Sequence, residues 1–327
     1  MNRLASTLVA AMAVLGLGTA TGFAADDFPT KPIKIVVPFK AGGGMDVSTR
    51  FLATKGEDYF GQPIVVENRP GGSGLIGAGE VASAPADGYT LLATTSGSYG
   101  AAPHIYKAPY DPETAFVPVI SPGRTTMILV AGPAAPAKDF KSFYDYAKAH
   151  PGKVTVGCAG YGDISGMQLA KAFKAMGLNV KLIPFNGASE TAANTLGGHV
   201  MYGNISDSTA KSHIEKGTLT PLFVFGGKAK RAPFDKIPSL AELGYKNGDS
   251  AYYKLIVAPA ATPAPVLKKL REGFMKITQD AAVQKLFDNA GASLDGVTND
   301  VAYLDEVTKD DYKTYGEIIS ELGLSKK

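Results

Sequence analysis

The sequence predicts an α/β protein of two lobes, each a mostly parallel sheet flanked by helices, and three observations predict it. Short β-rich apolar runs alternate with stretches of helical periodicity, the order that builds parallel βαβ units. A Gly132-Pro133-Ala134-Ala135-Pro136 break interrupts the alternation, and a second βα series starts after it. The chain has 327 residues, which at roughly 150 residues per domain suggests two.

Ile33 to Pro38 (IKIVVP) is a near-continuous apolar run, as expected of a strand buried on both faces. A glycine turn at Gly42-Gly43-Gly44 follows, then a helical stretch from about Asp46 to Phe60. Ile64 to Glu67 is a second strand, Leu75 to Ser83 a second helix and Tyr89 to Thr94 a third strand. Thr126 to Ala131 (TMILVA) gives another strand before the break. The second series runs from a helix at Phe140 to Ala149 through a strand at Val154 to Val156 and a glycine-rich turn to a helix at Ser165 to Met176. A strand at Val180 to Ile183, a helix at Ser189 to Leu196, and strands near Val200 to Ile205 and Leu219 to Phe225 complete it. Lys254 to Ala258 (KLIVA) is again a strand, and the rest reads mainly as helix. Pro263 to Thr278 carries Val266, Leu267, Leu270, Phe274 and Ile277 at helical spacing. This order assigns residues 25–130 with 252–327 to the first lobe and 131–251 to the second. The chain is expected to cross near Ala131 to Lys138 and again near Gly248 to Tyr253. The tail Leu304 to Lys327 carries mixed charges and reads as a solvated helix face.

Composition narrows the function. A content of 45% hydrophobic and 19% charged residues is that of a globular chain with sizeable cores. Lys and Arg total 33 against 30 Asp and Glu, a net of +3 without basic clusters, which argues against a nucleic-acid partner. One cysteine excludes an internal disulfide framework and a multi-cysteine zinc site. His104, His150, His199 and His213 are scattered without metal-ligand spacing, so neither a metal nor another cofactor is expected. At the N-terminus, Asn2 and Arg3 precede an apolar run from Leu8 to Gly18, and small residues lead to Gly22-Phe23-Ala24. This is the pattern of a secretory signal peptide over residues 1–24, cleaved before Ala25; the run is short of the ~20 apolar residues of a membrane span. The mature protein is therefore expected to be exported, soluble and monomeric.

Four turns share one design: Phe39-Lys40-Ala41-Gly42-Gly43-Gly44, Thr94-Thr95-Ser96-Gly97-Ser98, Cys158-Ala159-Gly160-Tyr161-Gly162-Asp163-Ile164-Ser165, and Asn186-Gly187-Ala188-Ser189. Each leaves an expected strand and enters an expected helix. The first amides of a helix lack intrahelical partners, and the helix dipole places about half a positive charge there, so an anion is favoured. Glycine lets a ligand approach the backbone, and Ser or Thr adds hydroxyl donors. In open α/β sheets such turns lie at the carboxyl ends of strands, where ligands bind. A single turn of this kind is commonly structural; four of them, two in each lobe, point to a cleft that holds one small anion.

Other motifs do not hold up. Gly72-Ser73-Gly74-Leu75-Ile76-Gly77 matches GxGxxG, but Asn68-Arg69-Pro70-Gly71 separates it from its strand and no acidic residue ends a second strand at the right distance. No GxSxG elbow is present, and Cys158 has no recognisable histidine partner, which leaves it a buried structural thiol.

The segments KPIKIVVPFKAGGGMDVSTR, GQPIVVENRPGGSGLIGAGEVASAPADGYTLL, APYDPETAFVPV, AKAHPGK, HIEKGTL and APAATP resemble the periplasmic solute-binding proteins of tripartite tricarboxylate transporters, often called the Bug family. The resemblance runs from about Pro29 to the C-terminus. It implies a two-lobed periplasmic-binding-protein fold of type II-like form, with two hinge crossings, closing over a small carboxylate that is then handed to the membrane subunits of a transporter. It further implies that main-chain amides and bridging waters at two turns hold the carboxylate. By position these are Phe39, Ala41, Gly42, Gly43 and Gly44 in the first lobe, and Ala159, Gly160, Tyr161, Gly162, Asp163 and Ser165 in the second. Thr94, Ser96, Ser98, Tyr99, Gly187, Ala188, Ser189 and Asp207 would complete the pocket.

Departures from the family pattern bear on the ligand. Asp163 stands where Ser or Thr is usual; it either caps the following helix or accepts from an ammonium or hydroxyl on the ligand, disfavouring a tricarboxylate. Glu190, in place of a small residue or Pro, points the same way. Cys158 replaces a common Ser. Lys254, beside Tyr253, either meets a second carboxylate or is solvated. Tyr99, Tyr161 and Phe185 either sandwich a ring or form an apolar wall. Together they favour a mono- or dicarboxylate, aromatic and amino-substituted ones included, over citrate. Two alternatives are a secreted enzyme on the same scaffold with Asp163, Glu190 or Asp207 as base, and a ligand-sensing subunit of a signalling system.

Overall fold

The computed structural model describes residues 27–227, 229, 232–248, 252–321 and 323–325. The expected signal peptide at 1–24, and residues 249–251 of the second crossing, lie outside the described residues. Two sheets form, each with a parallel βαβ centre. In the first, β1 (Ile33–Val37) lies between β2 (Ile64–Asn68) and β3 (Thr90–Thr95), parallel to both, with Ile35 opposite Val66 and Leu91. In the second, β7 (Thr155–Cys158) lies between β8 (Lys181–Pro184) and β9 (Tyr202–Ser206), again parallel to both. These strands run towards the interlobe cleft.

Each sheet is then widened by antiparallel strands, so the expected parallel pairing holds at the centre of each sheet and the sheets as a whole are mixed. β6 (Met127–Ala131) pairs antiparallel with β9, placing Met127 opposite Ser206, and β10 (Thr220–Val224) pairs with β6. β11 (Tyr252–Pro259) pairs antiparallel with β3, placing Lys254 opposite Thr95, and with β4 (Phe116–Ile120). The geometry follows from connectivity. β6 and β11 arrive from the other lobe and so begin at the cleft, where β3 and β9 end.

The strand expected at 126–131 to close the first lobe thus belongs to the second sheet, and the first crossing precedes it instead of following at Ala131 to Lys138. The short β5 (Arg124–Thr125) pairs with Tyr252 and Tyr253 of β11, which sets the two crossing segments side by side. Arg124 Nη2 donates to Tyr253 Oη at 2.8 Å across them. An all-apolar run such as MILVA is equally at home in either sheet, and the Gly-Pro break after it is a loop within the second lobe.

The helices mostly follow the expected periodicity. In α9 (Ala264–Gln279), Val266, Leu267, Leu270, Phe274 and Ile277 are all buried against the first sheet. α3 (Leu75–Ala82), α5 (Phe140–Ala149), α6 (Ile164–Met176) and α7 (Ala188–Leu196) lie near their expected positions. The expected helix at 46–60 is split into α1 (Gly44–Ala53) and α2 (Gly56–Phe60). At Gly56 a Cβ would lie 2.7 Å from the Ile64 amide nitrogen, so the chain bends there to lie against β2. Two helices carry little sequence signal: the glycine-rich α4 (Ser96–Ile105) and the polar α8 (Asp207–Glu215). α10 (Ala281–Ala290) and α11 (Val301–Glu321) end the chain. α11 is not simply a solvated face. Its Leu304 is buried with Tyr253, Leu255 and Val257 of the first lobe, and its Tyr315 and Ile319 are buried with Met167 and Phe173 of the second.

Candidate functional site

A small cavity of about 40 Å³ lies between the lobes, lined by Phe39, Gly43, Gly44, Met45, Thr95, Thr125, Met127, Ala159, Asp163, Ala188 and Ser206. Five helices begin on this wall. Gly43 is the N-cap of α1, Thr95 of α4, Asp163 of α6 and Ser206 of α8, and Ala188 is the first residue of α7. α4 and α6 are capped by their own side chains, Thr95 accepting from the Ser98 amide and Asp163 from the Ser165 amide. The N-cap residues of α1, α7 and α8 make no side-chain cap. This leaves first-turn amides of α1 and α7 for other acceptors, while at α8 the Asp207 amide donates to the Thr126 carbonyl at 2.9 Å and the Ser208 amide to Asp207 Oδ1. No lysine or arginine is among the lining residues. A negative charge here would be met by amides, hydroxyls and helix dipoles.

The first-lobe turn is held from behind. The Asp46 carboxylate, almost fully buried, accepts from the Gly42 amide at 2.8 Å, Asn68 Nδ2 at 2.9 Å and Arg50 Nε at 3.0 Å. Asn68 Nδ2 also donates to the Phe39 carbonyl at 3.0 Å. The end of β2 and the first turn of α1 therefore clamp the loop in a form that needs Gly42 at φ +79°. Asp46 takes the Gly42 amide and leaves those of the α1 start uncapped.

The second-lobe turn is largely self-satisfied. Ser165 Oγ accepts from the Ala159 amide at 2.8 Å, and Asn204 Nδ2 donates to the Ser165 carbonyl at 3.0 Å. Asp163 caps α6 through Oδ1, at 2.9 Å from the Ser165 amide, while Oδ2 accepts from Ser98 Oγ at 2.6 Å. At the rim, Lys40 of the first lobe meets the start of α7. The Lys40 amide donates to the Asn186 carbonyl at 3.0 Å, Lys40 Nζ pairs with Glu190 at 3.2 Å, and Ser189 Oγ donates to the Ala41 carbonyl at 2.9 Å. Burial alone would raise the Glu190 pKa, but donors from Asn186 and Lys40 outweigh it and hold the carboxyl below its usual range.

All four turns singled out in the sequence therefore come together. Of their residues, Phe39, Gly43, Gly44, Thr95, Ala159, Asp163 and Ala188 line the cavity. Ala41, Gly42, Gly187 and Ser189 form the rim beside it. Thr94, Ser96, Ser98 and Ser165 are buried behind the wall. Gly160 and Gly162 lie against Ser73, so the GxGxxG segment is a wedge between the lobes. Asp207 is buried behind Ser206, its carboxylate accepting from the Ser208 amide at 2.7 Å.

The aromatic sandwich does not form. Tyr99 packs on Phe116 with ring centroids 6.0 Å apart, and burial pushes its hydroxyl pKa up. Tyr161 Oη donates to the Leu182 carbonyl at 2.8 Å, and Phe185 covers Gly157. Phe39 is the aromatic residue of the lining. Lys254 is neither solvated nor in the cavity: it is 1% exposed, and Nζ donates to the Ser293 carbonyl at 3.0 Å beside the Phe287 ring. The Cys158 thiol is buried, which pushes its pKa up to about 12 and removes it as a nucleophile at neutral pH.

Five lining residues were not among the expected ones: Met45, Thr95, Thr125, Met127 and Ser206. Thr125 and Met127 follow from the displaced crossing. Thr95 follows because it ends β3 and caps α4, which sets it at the strand-to-helix junction. Ser206 begins Ser206-Asp207-Ser208-Thr209, a run of capping residues that signals a helix start.

The model of the family described as tripartite tricarboxylate transporter family receptor (TctC) matches residues 49–324. A curated relative, the UPF0065 protein in the gbd 5' region of Cupriavidus necator, is 34% identical over 271 residues, 82% of this chain and 81% of the relative. Among solved structures, the periplasmic binding protein BugD superposes with a TM-score of 0.83 at 29% identity, covering 92% of this chain and 100% of that one. R. palustris Rpa4515 with adipate gives 0.84 at 25% identity, covering 91% and 99%.

Proposed function

The chain belongs to the tripartite tricarboxylate transporter receptor family, and on that premise we propose that it is a periplasmic receptor that closes over a small carboxylate and delivers it to the membrane subunits of such a transporter. The observation that carries the reading is the meeting of five helix N-termini, three without side-chain caps, on one interlobe cavity that has no basic side chain. Hydrogen bonds to a charged group contribute about 1.5–3 kcal/mol each, and micromolar binding needs about 8 kcal/mol. Four or five amide and hydroxyl contacts from the starts of α1 and α7 and from Thr125 and Ser206 reach that value after ordering costs. As residues closing on the ligand we assign Phe39, Gly43, Gly44, Ala159, Asp163 and Ala188, with Thr95, Thr125 and Ser206.

The ligand class follows from the wall. Phe39, Met45, Met127, Ala159 and Ala188 offer an apolar surface, and Asp163 sets a carboxylate beside it. A mono- or dicarboxylate with a short apolar body suits these surroundings, and a distal hydroxyl or ammonium has Asp163 as acceptor. A compact tricarboxylate would bring like charges together. The adipate held by Rpa4515 supports the class. The receptor acts as an exported monomer whose signal peptide is removed at residue 24, and it performs no chemistry. The three carboxylates that a catalytic alternative would use are engaged: Asp163 by Ser98 and Ser165, Glu190 by Lys40 and Asn186, and Asp207 by Ser208.

Native mass spectrometry of the protein as purified tests the reading. It should release a carboxylate below the mass of a tricarboxylate such as citrate, recovered unchanged after prolonged incubation. Turnover of that molecule, or retention of a non-acidic one, would contradict it.

A further inference from the structure

We propose that closure is set by the protein itself, through a buried clasp from Ser98 to Asp163 and a rim latch of Lys40 on Glu190, so that the ligand-free receptor populates the closed arrangement. Ser98 lies in the first turn of α4, which leaves β3 of the first lobe and packs its Ala101 into the second-lobe core; Asp163 follows β7 of the second lobe, and both are 4% exposed. Thr95 Oγ1 donates to Ser98 Oγ at 3.0 Å, and Ser98 Oγ donates to Asp163 Oδ2 at 2.6 Å. This directed chain runs from one cavity wall to the other. A hydrogen bond to a carboxylate at that length is of the strong, charge-assisted kind, and a chain strengthens it.

The two oxygens of Asp163 have different fates on opening. Oδ1 keeps the Ser165 amide, a bond within one lobe. Oδ2 loses Ser98 to the opposite lobe and takes water instead. Closing therefore buries a carboxylate oxygen that depends on Ser98. Without the hydroxyl that oxygen would be buried unsatisfied, a cost borne by the closed form alone. The clasp makes Ser98 a positioning residue acting through Asp163, not a ligand contact. At the rim the Lys40–Glu190 pair is weaker, because Lys40 is 47% and Glu190 26% exposed and salt screens such pairs. It adds to the Lys40 amide and Ser189 hydroxyl contacts with the opposite lobe.

Closed-fraction measurements on ligand-stripped, refolded protein test this, and they are independent of whether the ligand is a carboxylate. Cysteines at Lys153 and Lys268, on exposed positions of the two lobes, accept a donor–acceptor dye pair; the native Cys158 is buried. Single-molecule energy transfer should show open and closed populations. Ser98→Ala should lower the closed-to-open ratio about tenfold, the equivalent of about 1.4 kcal/mol, with melting unchanged, and Ser98→Thr should restore part of it. Lys40→Gln, which leaves Glu190 bonded to Asn186, should lower the ratio about two- to fivefold, and 0.5 M salt should do the same to the native protein. A native protein that is wholly open without ligand would overturn the proposal. So would Ser98→Ala with native melting and an unchanged ratio, which would mean that α4 travels with the second lobe. Should Ser98→Ala not fold, an unchanged ratio in Lys40→Gln overturns it.

Discussion

At Gly44 a Cβ would lie 2.6 Å from Ser206 Oγ and 3.1 Å from Ser208 Oγ, both across the cleft. The residue is inside a helix with ordinary dihedrals, so alanine suits α1 by itself and the conflict exists only between closed lobes. Gly44→Ala should melt with the native protein, within about 0.5 kcal/mol as for a surface change, yet lose at least tenfold in ligand affinity by titration calorimetry; unchanged affinity would show that the lobes tolerate the contact. Asp163 is tested by a ratio. Serine still caps α6, so Asp163→Ser should weaken closure for every ligand equally, while removal of the negative wall should raise tricarboxylate over monocarboxylate affinity about tenfold, or ~1.4 kcal/mol. An unchanged ratio would confine Asp163 to capping and clasping. The glycines and hydroxyls of the four turns were legible because strand-to-helix junctions demand them. Side chains whose partners lie across the cleft were not. Glu190 meets Lys40 and Asp163 meets Ser98, contacts between residues 150 and 65 positions apart that no local pattern encodes.

Among the elements, α11 links the two cores, and Asp311 is a half-buried carboxyl group on its side facing α4. A Cβ on Gly100 of α4 would lie 3.0 Å from the Asp311 carbonyl carbon. Burial pushes the Asp311 carboxyl up to about 6, with the Ser96 hydroxyl offsetting part of the shift. Because the folded pKa is raised, the folded state binds the extra proton. The group therefore costs stability increasingly as pH rises through about 4 to 6, and fully above 6. Asp311→Asn should raise Tm by a few degrees at pH 8, at about 2–4 °C per kcal/mol, and give no gain at pH 4; equal shifts at both values would contradict the assignment. Element identity was legible where the period was strong, as in α9 and β1. For α4 only the strand-to-helix turn pointed to a helix, because Gly97, Gly100 and Pro103 lower helix propensity and Thr95 capping with α11 packing supplies the stability. It failed for α8, which lacks an apolar stripe. The sheet to which β6 belongs could not be read, because strand pairing depends on where the chain enters the cleft and an apolar run says nothing of that.

For the whole molecule, two mixed sheets set their parallel strand ends face to face, and the crossing strands β5 and β11 pair at the hinge. Five helix starts are thereby aimed at one volume, so that a charge can be held in a cavity without a countercharge. On the proposed function, closure would make those contacts simultaneous and shut out water that would screen them. Titration calorimetry of ligand-stripped protein against carboxylates and their neutral amides asks this directly. At least one mono- or dicarboxylate should bind one to one at micromolar Kd or tighter, and its amide at least a hundredfold more weakly, about 2.7 kcal/mol. Equal affinity for acid and amide, or no binding by any carboxylate, would contradict the account.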